Sequence, residues 1–590
     1  MISVDNRISE LLSQMTIEEK AGLFFHSMAW LDERELPERD GDPLLPGPVH
    51  DLVVKRHITH LNVAGPASAQ AIARFARALA ALAETTRLRI PITLSSDPRS
   101  AATERAGASH SANGFSQWPE PIGIAAMREK AAARRFGEAV SEEFAAAGIR
   151  LLLGPQVDVA TEPRWSRING TWGGDAALTV ELVTEFIEGL QVDADAPRVT
   201  AMVKHFPGGG PQKDGEDPHF PHGKDQVYPG GHFDEHLSVF PPLFAAGARQ
   251  TMAYYGRPVG LARNGEAIEE VGFAFNRQIL TDLLRDELGF EGLISTDWGV
   301  IEDAEIMGDL HVARAWGVEH LDRASRVEKA LNAGVDQFGG DSCTELIVQL
   351  VAEGRISESR LDESARRILE EKFRLGLFDG PAESEGTGAA FALSEARRRE
   401  NAEAGLDAQR RSLTLLTNAD RPESTTPTLP LPARLRVFSD SVDNELLANY
   451  ATVVTDASQA DVAIMRVSTP WEPRPTVFEN FFHSGRLDFP ADELASIVTR
   501  LTATPTVVVV GLERPAVIPE IVEHAAAVVG EYGSCDEAVL DVLFGRARPE
   551  GRLPFQLPRS MDDVVGGETD TPHRLADPLF DFGHGLDYPH

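Results

Sequence analysis

Gly292-Leu293-Ile294-Ser295-Thr296-Asp297-Trp298-Gly299 is the stretch that decides the fold. Its first three residues form an apolar run that reads as a buried parallel strand. A carboxylate at the C-terminal end of such a strand, beside a large aromatic, is where an α/β barrel places its chemistry. A buried acid is costly unless it is paired or used, so Asp297 is the first candidate for a reacting group. Trp298 offers a flat apolar wall of the kind that holds a sugar ring. Taken alone, the motif fits a structural Asp equally well.

Working outward, short apolar runs recur at 22–26, 58–64, 91–96, 149–153, 199–203, 251–255, 293–295 and 335–338. Amphipathic helical patterns, such as 131–147 and 180–190, lie between most of them. Strands alternating with helices in this way predict a (β/α)8 TIM-like barrel with insertions over residues 1–380. A helix beginning at Ser357 closes this region, with Leu361, Ala365, Ile368, Leu369 and Phe373 at helical spacing. Residues 381–410 read as a Gly-, Ala-, Ser- and Glu-rich linker followed by a lead-in helix. A second alternation, with strands at 412–417, 435–439, 462–467, 506–511 and 527–530, predicts an α/β (αβα) sandwich domain over 411–590.

The 590-residue chain carries 56 Lys and Arg against 91 Asp and Glu, a net charge of −35. Such acidity repels nucleic acid and anionic lipid. Cys343 and Cys535, the only cysteines, form neither a disulfide framework nor a zinc motif. The N-terminus lacks the basic start and apolar centre of a signal peptide, and no run is long enough to span a membrane. A cytoplasmic protein is therefore expected, its oligomeric state left open, homo-oligomers included.

Other polar residues fall at the same predicted barrel mouth. Asp97 ends the strand at 91–96, and Asp158 follows the strand at 149–153. Lys204 and His205 end the strand at 199–203, and Gly208-Gly209-Gly210 lets a ligand approach the backbone. Arg164 and Arg167 flank Trp165, and Tyr254 and Tyr255 close the strand at 251–255. Acids, cations and aromatics converging on one concave face suit a polyol, which offers ring faces for stacking and hydroxyls for charge-assisted hydrogen bonds.

With these motifs in order the chain resembles glycoside hydrolase family 3, in its β-glucosidase and exo-glucanase branch. The resemblance runs from Met15-Thr16-Ile17-Glu18-Glu19-Lys20 through Pro163–Arg167, Lys204–Gly208 and Ser295–Trp298. It continues through Lys372–Phe378 to Phe582-Gly583-His584-Gly585-Leu586-Asp587-Tyr588. It implies a barrel followed by a sandwich and a retaining exo-β-glycosidase, a β-glucosidase first of all, acting without cofactor on a small-molecule or oligosaccharide β-glycoside. Asp297 matches the nucleophile. Asp97, Arg167, Lys204 and His205 match positions that grip the terminal sugar, Tyr255 a residue near the nucleophile and Trp298 an aromatic wall. Pro98-Arg99-Ser100 departs from the family turn, and Ser166 stands where relatives carry glycine. The third, fibronectin-like domain of many relatives is not expected.

Retaining hydrolysis needs a second group to give and take a proton. The branch implies a Glu on a sandwich-domain loop, for which Glu472 is the first candidate and Glu479 the second. The alternative to a role for Glu472 is a surface pair with Arg474. A rival branch, the β-N-acetylhexosaminidases, uses a His-Asp dyad on a barrel loop, and Asp217 and His219 have its two-residue spacing. A zinc site built from His219, His222, His232 and His236 lacks the Glu that its motif requires, so no metal is expected. A carbohydrate-binding protein that kept the fold and lost catalysis is the third reading.

Overall fold

A computed structural model describes residues 3–31, 47–102, 113–193, 195–379, 393–421 and 425–588. Eight parallel strands close into a barrel in sequence order: β1 (Phe25–Trp30), β2 (His60–Ala64), β3 (Thr93–Ser96), β4 (Leu151–Leu152), β5 (Thr200–Phe206), β6 (Gln250–Ala253), β7 (Leu293–Trp298) and β8 (Gln337–Gly339). Every residue of β2, β3, β5 and β6 is buried. Helices cover the outside and side chains fill the inside, so these strands read as nearly continuous apolar runs.

The first strand lies three residues later than the expected 22–26. Gly22 belongs to the helix Ile17–Leu23, which starts in a capping box between Thr16 and Glu19. A Cβ on Gly22 would stand 2.2 Å from the His57 carbonyl oxygen. Glycine is there to let that helix lie against backbone, not to open a strand.

The floor of the barrel is sealed by the helix Glu358–Arg374, whose N-cap Ser357 accepts from Arg360 N. Leu361, Ala365, Ile368 and Leu369 are buried on its inner face, at the predicted spacing. Lys372 is fully buried and donates from Nζ to Thr59 O and Pro91 O, each at 2.9 Å, and to Thr93 Oγ1 at 2.8 Å. It ties together acceptors at the N-terminal ends of β2 and β3, a stabilising task at the bottom of the barrel.

The expected linker at 381–392 lies outside the described residues. The lead-in helix is Glu395–Ser412. The second domain is built on a six-stranded sheet of β9 (Thr414–Asn418), β10 (Arg436–Ser439), β11 (Thr452–Val453), β12 (Val462–Ser468), β13 (Thr506–Gly511) and β14 (Ala527–Glu531), in the order β9-β14-β13-β12-β10-β11. Only β9 runs antiparallel to its neighbour. Along β13, Val508 and Val510 join the core shared with the barrel, while Val507 and Val509 join a separate core on the other face. That two-residue period explains four consecutive valines.

The domains are stitched through backbone and charge. Glu120 N donates to Tyr532 O at 2.9 Å, and Arg474 pairs with Glu216 at 2.7 Å. Arg514, completely buried, donates to Arg164 O of the barrel and to Gly485 O of its own domain, both at 3.1 Å.

Two histidines inside the barrel make folding pH-dependent. Burial pushes the His26 pKa down to about 3 and drives His60 well below its usual value. The unfolded chain takes up protons on these rings near pH 6.5 and the folded chain does not. Stability therefore rises with pH across that window and falls as the pH drops below it. Each ring should cost about 1.4 kcal/mol per pH unit below about 6.5. Urea unfolding at neutral and mildly acid pH should show that loss, and a His26→Gln, His60→Gln double variant should show less of it. An identical slope in the two proteins would contradict the assignment.

Candidate active site

Asp297 sits at the C-terminal end of β7, with its side chain 9% exposed. Oδ1 accepts from Trp298 N at 2.7 Å, while Oδ2 is buried with no hydrogen-bond partner. His205 Nε2 approaches Oδ2 at 3.6 Å and is likewise buried without a partner. A carboxylate oxygen and an imidazole nitrogen thus face one spot at the barrel mouth.

Asp158 is the group that aims His205. It is completely buried; Oδ2 meets His205 Nδ1 at 2.8 Å, and Oδ1 accepts from His205 N at 3.2 Å and Gly209 N at 2.5 Å. Burial alone would raise the Asp158 pKa, but His205 and these hydrogen bonds hold it below the usual value. Burial, followed by the nearby Arg167 charge, lowers the His205 pKa. The neutral ring with Nδ1–H on Asp158 leaves Nε2 an acceptor pointed into the mouth.

The other predicted residues gather around this centre. Lys204 Nζ donates to Asp97 Oδ1 at 3.1 Å, and Asn62 Nδ2 donates to Asp97 Oδ2 at 3.4 Å. Arg99, part of the turn that departs from the family pattern, points inward and donates to Ser96 Oγ at 2.7 Å and to the carbonyls of Val63 and Gly65 at 2.9 and 3.1 Å. The turn is rebuilt around it and Asp97 keeps its place on Lys204. Arg167 is buried; burial works against its charge, yet Asp217 and Asp297 raise its pKa above the ordinary value. Tyr255 donates to Trp298 O at 2.6 Å, and burial, then the Asp297 charge, pushes its phenol well above the usual range. Trp298 is braced by the His26 ring at 5.2 Å, edge-on. His26 Nε2 reaches Ser95 Oγ at 2.7 Å, and Ser95 Oγ donates to Asn62 Oδ1 at 3.2 Å. One polar chain inside the barrel therefore links the aromatic wall to Asp97.

The candidates for proton transfer are placed very differently. Glu472 is exposed; its amide donates to Ser484 O at 2.9 Å, and its carboxylate lies over Gly485, where a Cβ would meet Oε2 at 2.1 Å. Trp471, its neighbour in the chain, stacks on His483 at 4.5 Å. Arg474, weighed as its surface partner, pairs with Glu216 instead. Glu479 is largely buried, accepts from Thr476 N at 3.3 Å and Thr476 Oγ1 at 3.1 Å, and lies 3.9 Å from His222 Nδ1. Asp217 and His219 do form a dyad, Oδ1 to Nδ1 at 2.5 Å, with Ser166 Oγ donating to the second Asp217 oxygen at 3.3 Å. Burial would raise the Asp217 pKa, but His219 holds it down at about 2. The His219 ring stands 4.8 Å from Tyr255 and 4.7 Å from Phe482 of the second domain. Of the histidines weighed as zinc ligands, His232 Nδ1 faces Glu235 Oε2 at 3.2 Å and His236 Nε2 faces Asp570 O at 3.0 Å.

Two family models match this chain. The glycosyl hydrolase family 3 N terminal domain covers residues 50–370 and the glycosyl hydrolase family 3 C-terminal domain residues 327–588. The chain belongs to glycosyl hydrolase family 3. It is 48% identical to Beta-glucosidase C of Emericella nidulans, over 99% of this chain and 92% of that protein. It is 38% identical to the Periplasmic beta-glucosidase/beta-xylosidase of Dickeya chrysanthemi, over 99% and 90%. Its fold matches the beta-glucosidase from Listeria innocua in complex with glucose with a TM-score of 0.76 at 20% identity, over 100% of this chain and 83% of that one. The enzyme is a glycoside hydrolase of two-domain architecture. The cytoplasmic expectation is corrected by these relatives, because the Dickeya protein is named periplasmic, as is a Salmonella typhimurium relative 24% identical over 80% of this chain.

Asp158 was legible as an acid near the mouth, but its task on His205 was not, because that depends on the fold. Asp158→Asn should lower kcat/KM about 100-fold by misplacing His205, since small displacements at a reacting centre carry losses of that order. Steady-state kinetics together with an unchanged circular dichroism spectrum would check it; near-normal kcat/KM would remove Asp158 from the site.

Proposed function

We propose that this enzyme is a retaining exo-β-glucosidase, working in the periplasm or outside the cell, with Asp297 as its nucleophile. The observation that carries this is the pair of buried, unpartnered atoms Asp297 Oδ2 and His205 Nε2 facing one spot at the barrel mouth. Buried polar atoms without partners in a native fold need a reason, a catalytic role among them, and the groups around this spot suit a sugar ring and its hydroxyls. The names of the Emericella and Dickeya relatives support glucose as the sugar released, with xylose the nearest competitor.

In this reading Asp97, Lys204, His205 and Arg167 take the hydroxyls of the terminal sugar, and Trp298 forms a wall beside it. Asp297 Oδ2 attacks the anomeric carbon as the bond to the leaving oxygen breaks, giving a glycosyl ester and a departing alcohol. Water then attacks the same carbon, the ester bond breaks, and sugar leaves with its configuration retained.

The leaving oxygen needs a proton in the first step, and water must lose one in the second. We assign both transfers to His219 held by Asp217. The ring lies one tyrosine away from Asp297, and Arg167 feels the charges of both Asp217 and Asp297. Asp217 fixes Nδ1 and leaves Nε2 for the exchange. Glu479 is the second reading, favoured by its largely buried position beside Phe478, whose ring lies 6.3 Å from His219. Glu472, exposed and folded onto Gly485, is supported by neither burial nor contact.

Kinetics separate these roles. Asp297→Asn should stay folded and lose about 10⁴-fold or more in kcat, with azide restoring part of it. Removing the proton donor should hurt cellobiose far more than 2,4-dinitrophenyl β-glucoside, because a good leaving group departs without help. His219→Ala is expected to give that split, and Glu472→Ala is not. If Glu479→Ala gives it and His219→Ala does not, the dyad assignment falls.

A further inference from the structure

Asp570 belongs to the last segment of the second domain, beyond the helix Met561–Val565, and it is completely buried. Its Oδ1 accepts from Gly230 N at 2.7 Å and its Oδ2 from His232 N at 2.8 Å. Its carbonyl oxygen accepts from His236 Nε2 at 3.0 Å. The preceding carbonyl, Thr569 O, accepts from Thr161 Oγ1 at 2.6 Å. All four donors belong to the barrel domain, His236 on the short helix Phe233–Leu237. A buried carboxylate is tolerated only when it is hydrogen-bonded, and both oxygens of this one are spent on backbone amides of the barrel.

His236 carries the connection inward. Burial lowers its pKa, so the ring is neutral and Nε2 holds the proton given to Asp570 O. The same side chain lies against the Gly-Gly-Gly turn that follows Lys204 and His205. A Cβ on Gly208 would stand 3.0 Å from His236 Cβ, and one on Gly210 would stand 3.1 Å from His236 Cε1 and 1.8 Å from Val159 O. Gly208 O accepts from Gln226 Nε2 at 2.6 Å, and Gly209 N donates to Asp158 Oδ1 at 2.5 Å. The turn is thus held between His236 on one side and Asp158 on the other. Asp158 in turn sets both the backbone and the ring of His205, beside Asp297.

We propose that Asp570 and His236 are positioning residues for the sugar site. The C-terminal segment of the second domain clamps the turn 208–210 through them, and the turn sets Asp158 and His205 for sugar binding. Asp570 reaches no sugar; it acts through His236, the 208–210 turn and Asp158. The proposal rests on reading the barrel mouth as the sugar site and extends it to a residue of the other domain. It is independent of which group transfers the proton, because the affected step is binding of the terminal sugar.

The test uses the full chain and isofagomine, a basic sugar mimic that occupies a glucosidase site without turnover. Calorimetric titration should show tight binding to the wild type. Asp570→Asn turns an acceptor into an amide facing a backbone N–H, and His236→Ala removes the connecting ring. Each should stay folded, by thermal unfolding, and weaken isofagomine by about tenfold. His236→Gln places an N–H near the Nε2 position and should recover most of what His236→Ala loses. A purely structural role would lower the unfolding midpoint without that pattern in affinity. Binding within about twofold of wild type in folded Asp570→Asn and His236→Ala would overturn the proposal, taking the lower range of coupling through packed networks as the margin. Should Asp570→Asn fail to fold, the two His236 variants decide, and equal weakening in both counts against it. Failure of the wild type itself to bind isofagomine would bring down the sugar-site reading, and this proposal with it.

Discussion

The Asp158 carboxylate is the interaction on which the mouth of the barrel depends. It is taken wholly out of water, which is expensive for a charge, and the expense is offset only by good geometry and full hydrogen bonding. Two backbone amides and one imidazole supply that. Because the carboxylate cannot move without losing them, the His205 ring and the 208–210 turn are fixed as well. The neutral, inward-facing His205 Nε2 follows from this one constraint. A site that must stabilise charge developing on a sugar ring gains from dipoles already in place, since no reorganisation is left to do at the moment of reaction.

The second domain does more than roof the barrel. Arg514, buried and donating only to main-chain carbonyls, ties the loop behind Arg164 to the loop that carries Glu472 and Gly485. Arg474 fastens the same loop to Glu216, next to the Asp217–His219 dyad. Phe478 and Phe482 then pack on His219 and Phe220. Aromatic and charged contacts from one domain thereby shape the mouth of the other. Such a division leaves the barrel strands to hold Asp297 rigidly and the loops between domains to select what leaves.

Much of this was written locally in the chain. Asp297 and Trp298 at the end of an apolar run, and Lys204-His205 at the end of another, needed only the strand rule to be placed at one mouth. The valine run of β13 declared a strand buried on both faces. The dyad was legible because Asp217 and His219 are two residues apart. What local pattern does not carry is whatever depends on distant partners. Gly22 looked like the start of a strand until the His57 backbone was seen against it. The choice between Glu472 and Glu479 turns on how a loop folds over another domain. Asp570 gave no signal at all, since its partner Gly230 lies 340 residues away in the chain.

In the proposed mechanism Asp297 forms the covalent bond to the sugar. Incubating the enzyme with 2-deoxy-2-fluoro-β-glucosyl fluoride slows release of the glycosyl ester enough for it to accumulate, and peptide mass spectrometry then locates it. The account predicts one fluoroglucosyl group per chain, on the peptide containing Ser295-Thr296-Asp297-Trp298 and on Asp297 itself. A label on any other carboxylate, such as Glu479 or Asp97, would contradict it.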